Sequence, residues 1–113
     1  MLIRKDETHR FDNSDTCTVL EYAFGNTKLG LAQVIINGRY PETGSAMNLE
    51  SCMIYLVISG QGSIHYDQKN YEIQQGDAFF FEKEKSYWVQ GRDLLVAVIN
   101  APTWTLEQYK HIE

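Results

Sequence analysis

The sequence predicts an all-β domain, a small β-sandwich or barrel, and three observations carry that expectation. Residues 53–81 hold runs rich in β-branched and aromatic residues, divided by turn chemistry at Gly60 and Gly62, at the polar tetrad 67–70 and at Gly76-Asp77. Such short runs suit strands and are too short for helices. Similar runs recur before and after this stretch at turn spacings of about ten residues, which makes roughly eight strands in all. No segment sustains the 3.6-residue apolar period of an amphipathic helix.

In chain order, residues 1–17 are polar and acidic, broken by Asp12-Asn13-Ser14-Asp15, and read as a mobile or edge segment. Residues 18–24 form a first strand closed by Gly25-Asn26, and 29–37 form a second that ends at Gly38. Residues 38–44 are a loop by composition, in which Pro41 supplies no donor and biases Tyr40 towards extended backbone. Residues 45–51 lead into the central meander, which supplies several strands up to Phe81. The charged turn Glu82-Lys83-Glu84-Lys85 follows, then short strands over 86–90 and 93–100. Residues 101–104 leave the sheet, and 105–113 are a C-terminal tail with room for one helical turn or two. The barrel thus spans 18–104, between an N-terminal polar segment and that tail.

At 113 residues the chain is one domain, long enough to bury a core without staples. Its 43% hydrophobic and 22% charged residues are ordinary for a soluble globular protein. The net charge is −5 and the ten basic residues are scattered, so no basic stripe points to nucleic acid. No apolar run approaches the roughly 18 residues of a membrane span, and the N-terminus is acidic where a signal peptide is apolar. Cys17 and Cys52 lie far apart with no metal-type spacing, as reduced cytosolic thiols would. A cytoplasmic location is expected.

Alternation bears on both faces of the sheet. If Met53, Tyr55 and Val57 point one way, Ile54, Leu56 and Ile58 point the other, and residues 94–99 are apolar on both sides as well. A strand apolar on both faces is covered on both faces. One face lines the interior; the other meets a second sheet or a second subunit, and a homodimer is the expectation.

Ile58-Ser59-Gly60-Gln61-Gly62, the hairpin after it, Tyr71-Glu72-Ile73 and the Gly76-Asp77 turn before an apolar strand together resemble the conserved barrel of the cupin superfamily. The resemblance covers about residues 29–104 and implies a double-stranded β-helix, a jelly-roll-like barrel of antiparallel strands. Gly38-Arg39-Tyr40-Pro41, Asn48, Gly91 and residues 101–108 are also similar to an uncharacterised group of small single-domain cupins. Metal-binding cupins carry two histidines, a glutamate and a final histidine. Those positions correspond here to Met47 and Leu49 (or Ala46 and Asn48), to Met53 and to Tyr87. None of the four ligands is kept, and Glu82 and Glu84 stand where the family has a proline and a glycine. The resemblance without its ligands implies a barrel with no metal and no other cofactor. His9, His65 and His111 are dispersed, and alternation sends His65 to the opposite face from Ile64 and Tyr66.

With the metal positions apolar or aromatic, the candidate pocket residues are Met47, Leu49, Met53, Tyr55, Phe79, Phe81 and Tyr87, with Tyr40 and Trp104 at the rim. These side chains either fill the core of a small barrel or line an apolar cavity whose polar tips are tyrosine hydroxyls. Phe80 and Trp88 face outward, Trp88 towards a dimer seam. Three functions stay open. The first is metal-free binding of a small organic molecule. The second is a metal-independent isomerase or epimerase, for which the interior acid–base candidates are tyrosines, Glu50 and His65. The third is a structural or regulatory barrel packed shut.

Overall fold

The structure, a computed structural model, describes residues 1–26 and 28–113. Its strands are β1 (His9–Ser14), β2 (Cys17–Tyr22), β3 (Gly30–Tyr40), β4 (Ser45–Asn48), β5 (Cys52–Tyr66), β6 (Lys69–Gln74), β7 (Ala78–Phe81), β8 (Tyr87–Ala101) and β9 (Tyr109–Ile112). All pairings are antiparallel. The sheet runs β1-β2-β3-β8-β4-β9, and β5, paired with β8, carries β6 and β7 on its other edge. The curled sheet is the all-β barrel that the sequence predicts.

Two fifteen-residue strands, β5 and β8, form its spine and pair from Cys52↔Ala101 to Tyr66↔Tyr87. The sequence reading divides each into shorter strands at its glycines, and β3 likewise runs through Gly38 to Tyr40. The chain bends at these points without leaving the ladder, through register shifts after Val57 and Ser59 and after Ile36. Gly91 shows why glycine is there: a Cβ would run into the Ile36 carbonyl oxygen of the neighbouring strand. Glycine inside a strand then marks a bulge or a close backbone approach, not an end.

β6 pairs with the second half of β5 and β7 with the first. The chain crosses between them at Gly76-Asp77, where Gly76 has φ +90°. There the Gly76 N–H donates to the Val57 carbonyl, and the Val57 N–H to the Asp77 carbonyl, each at 2.9 Å. The Gln74 N–H donates to Asp77 Oδ2 at 2.9 Å. A short acidic side chain holding a backbone amide is ordinary turn chemistry.

Both ends of the chain join the sheet. β1 is an edge strand on β2, register His9↔Glu21 to Ser14↔Cys17. The tail has one 3₁₀ turn, Leu106–Gln108, within the one or two helical turns expected, and then becomes β9 on β4, a strand the sequence reading did not include. Gln108, 3% exposed, docks it. Its Oε1 accepts the N–H groups of Glu50 and Ser51 at 3.1 and 2.7 Å, and its Nε2 donates to Ser51 Oγ at 2.8 Å.

Alternation decides the faces. Met53, Tyr55, Val57, Leu94, Val96 and Val98 are buried inside with Val34 and Ile36 from β3. Ile35, Ile54, Leu56, Ile58, Phe80 and Ile99 lie exposed on the outer face.

Candidate functional site

The barrel interior is divided into a filled part and an open part. Phe81, fully buried, is the hub of the filled part. Its ring centroid lies 4.7 Å from Tyr55, 4.8 Å from both Phe79 and Tyr87, and 5.7 Å from Tyr66. Phe79 adds edge contacts to Tyr66 and Tyr71. These tilted and T-shaped pairs are the favoured aromatic arrangements. The open part is a cavity of about 320 Å³, at the small end of the range for ligand clefts.

Of the residues expected at a pocket, Tyr40, Met53, Tyr55, Tyr87 and Trp104 line this cavity. Phe79 and Phe81 do not: they point inward, but into the aromatic cluster that backs Tyr55 and Tyr87. Met47 and Leu49 do not either. On β4 the buried residues are Ala46 and Asn48, so alternation turns Met47 away, and Leu49 lies beyond the strand, 42% exposed. Tyr87 is inward and Trp88 outward, as alternation requires. Trp88 is occupied there, its ring stacked on His65 at 3.5 Å with the Arg39 guanidinium 4.0 Å from its centroid. His65 thus takes the outer face, and burial with the Arg39 charge lowers its pKa.

Several polar side chains line the cavity. Among the described residues no hydrogen bond of ordinary geometry ties the hydroxyls of Tyr40, Tyr55 or Tyr87, and no buried side-chain oxygen or nitrogen is sealed without a partner. All three side chains line the cavity. The Tyr55 and Tyr87 hydroxyls neighbour each other, as do those of Tyr40 and Tyr109. Burial first, and neighbouring acidic groups second, push all three phenols well above their usual range. Burial likewise pushes the Cys17 thiol up to about 12. These groups are neutral donors and acceptors.

Asn48 and Asn100 arrange the mouth. The Trp104 indole Nε1 donates to Asn48 Oδ1 at 3.0 Å, and the Trp104 backbone N–H donates to Asn100 Oδ1 at 3.3 Å. Asn48 Nδ2 reaches Met53 Sδ at 3.8 Å. Among the described residues one carboxylate, Glu21, also lines the cavity. Asn48, Asn100, Tyr109 and Glu21 are absent from the sequence-based pocket. The Cys17-Val19-Glu21 alternation on β2 could have found Glu21, whereas Tyr109 enters only because the tail pairs as a strand.

The residues at the cupin metal positions do not fit a transition metal. The inner face offers a thioether, an amide, an alanine methyl and neutral phenols. Among the described residues no three His, Cys, Asp or Glu side chains converge into a metal-holding group.

A barrel of this topology around such a cavity is a cupin-type ligand-binding domain. Residues 31–88 match the AraC-like ligand binding domain family, and the chain belongs to that family. No curated protein matches the sequence. Among solved structures it is similar to PAC13 from Streptomyces, a nucleoside dehydratase, at 17% identity and a TM-score of 0.89, covering 100% of this chain and 91% of that one. A variant of PAC13 with uridine matches equally, at 17% identity and TM-score 0.89 over 100% and 90% of the two chains. Ectoine synthase from P. lautus gives 14% identity and a TM-score of 0.76, covering 100% of this chain and 90% of that chain. At such identities the likeness establishes the shared fold.

Proposed function

We propose that this chain binds a small organic ligand in the tyrosine-lined cavity, without a metal or other cofactor, and works as a homodimer in the cytoplasm. The observation that supports binding most directly is that Tyr40, Tyr55 and Tyr87, buried side chains with polar tips, line an open cavity. A buried phenol gains from a partner, and a ligand with neutral polar groups supplies one while Met53 and Trp104 cover its apolar part. Binding is favoured over catalysis by these phenols, because raised pKa values leave them protonated and unable to act as bases near neutral pH. The likeness to PAC13 solved with uridine makes uridine the first ligand to try. The two free cysteines suit a reducing compartment.

The test is calorimetric titration with uridine and crystals soaked with uridine or a fragment library. Tyr87→Phe removes the hydroxyl and keeps the ring. It is expected to leave the melting temperature nearly unchanged and to weaken binding by about 0.5–1.5 kcal/mol, the net worth of one neutral hydrogen bond. Chelator should not change the affinity. A cavity that stays empty in every soak would overturn the reading. So would a Tyr87→Phe variant that loses stability without any loss of affinity, since the hydroxyl is then a structural tether.

A further inference from the structure

On β2, Cys17, Val19 and Glu21 share the inner face, and Glu21 lies on the cavity wall opposite Ala32 of β3. Resting on the binding reading above, we infer that Glu21 selects the charge of the ligand: the cavity takes amine-bearing or neutral molecules and rejects phosphates and carboxylates. Among the described residues no lysine, arginine or histidine lines the cavity. His9, across the β1–β2 ladder from Glu21, and Lys28 of the rim loop both stand outside the lining. Glu21 has no ion pair among the described residues, so its carboxylate keeps its acceptor capacity for a guest. The other acidic hydrogens on the wall belong to phenols and to a buried thiol, all neutral, so the cavity carries one negative charge and nothing to offset it. An anionic group entering it loses water and meets repulsion. An ammonium meets a charge-assisted acceptor, stronger than a neutral one. The amide and phenol groups elsewhere on the wall suit an uncharged body of the same molecule.

The experiment compares two matched trios on the intact protein, each an amine, an alcohol and an anion on one scaffold. One trio is 5′-amino-5′-deoxyuridine, uridine and uridine 5′-monophosphate; the other is phenethylamine, phenethyl alcohol and phenylacetate. Dissociation constants are measured by protein-observed NMR for the wild type and for Glu21→Gln, at low salt and again at salt that screens the long-range field of the acidic protein. In the wild type the amine is expected to bind about tenfold tighter than the alcohol, and the anion at least about tenfold weaker. Glu21→Gln, at a half-buried and unpaired position, should fold normally and bring the amine to the alcohol's affinity. A wild type that binds the anion as well as the alcohol overturns the inference. So does a Glu21→Gln variant that keeps the amine preference. If neutral members bind with no charge ordering, only the role of Glu21 fails. If no member of either trio shifts cavity resonances, the binding reading itself fails and takes this inference with it.

Discussion

Gly76 and Glu84 hold the same kind of backbone, with φ of +90° and +62°, but only one of them is glycine. In the left-handed region an L side chain crowds its own carbonyl, at a cost of roughly 1–2 kcal/mol. At Gly76 a Cβ would meet no atom within van der Waals range, so conformation alone sets the cost there. Gly76→Val is therefore expected to destabilise the fold by more than about 1 kcal/mol. Glu84 sits where the cupin pattern has glycine, and its N–H is held by the Asn48 carbonyl at 2.8 Å. Glu84→Gly should then stabilise, by up to about 1 kcal/mol. Urea midpoints of the two variants check this. Shifts of the same sign would mean that backbone strain is not what distinguishes the two turns. Both turns were legible in the sequence, one through Gly-Asp chemistry and the other as the charged run 82–85. Tyr87 was legible for a different reason: once its strand is placed, a period of two leaves only one choice of face.

At the scale of elements, the outer face of β5 and β8 stands exposed in the single chain, where the sequence reading expected a second sheet or a second subunit to cover it. Ile54 pairs with Phe80 on one side and Ile99 on the other, and Leu56 with Ala78 and Ala97, so the apolar patch is continuous across β7, β5 and β8. Ile54, Leu56 and Ile99 are 38–41% exposed and Phe80 53%. Contiguous apolar patches of this kind mark interaction sites, which is the ground for the proposed homodimer. Light scattering across a dilution series should give twice the chain mass, and Leu56→Glu should give a folded monomer. A wild type that is monomeric at micromolar concentration would sink the dimer. The elements themselves were only partly legible. Gly38, Gly60 and Gly91 carry the signature of turns, yet Gly60 and Gly91 sit where a neighbouring strand presses close and Gly38 where the Thr16 side chain does, and such neighbours are invisible in a local window. The tail misled for a related reason. Leu106–Gln108 does turn, but the pairing of 109–112 with β4 is set by Gln108 reaching the 50–51 backbone, a contact between residues far apart in the chain. That pairing brings Tyr109 to the cavity, so the same long-range contact hid one wall of the site.

For the whole molecule, the division of the barrel into a filled half and an open half leaves protonated groups throughout its centre, and this sets its response to alkali. Cys17 ionises at an ordinary value of 9.0 in the unfolded chain but is pushed up to about 12 in the fold. Tyr40, Tyr55 and Tyr87 ionise near 10.0 when unfolded and well above that when buried. Above about pH 9 the unfolded chain therefore binds fewer protons than the folded one, and stability falls as pH rises. The contribution is fully present below pH 9 and is lost progressively from there, first through Cys17 and then, past pH 10, through the three phenols. Each group adds a slope of about 1.4 kcal/mol per pH unit, so the phenols together give on the order of 4 kcal/mol per unit, against a typical total stability of about 5–15 kcal/mol. Urea midpoints should be level from neutrality to about pH 9 and fall steeply beyond pH 10. Affinity for a neutral guest should stay level over the same lower range, because the phenols proposed to hold it do not change charge there. A midpoint that holds to pH 11, with phenolate absorbance rising in the still-folded protein, would show that these hydroxyls ionise in place. The cavity would then admit water and charge freely, and the neutral tyrosine wall on which the proposed binding rests would be lost.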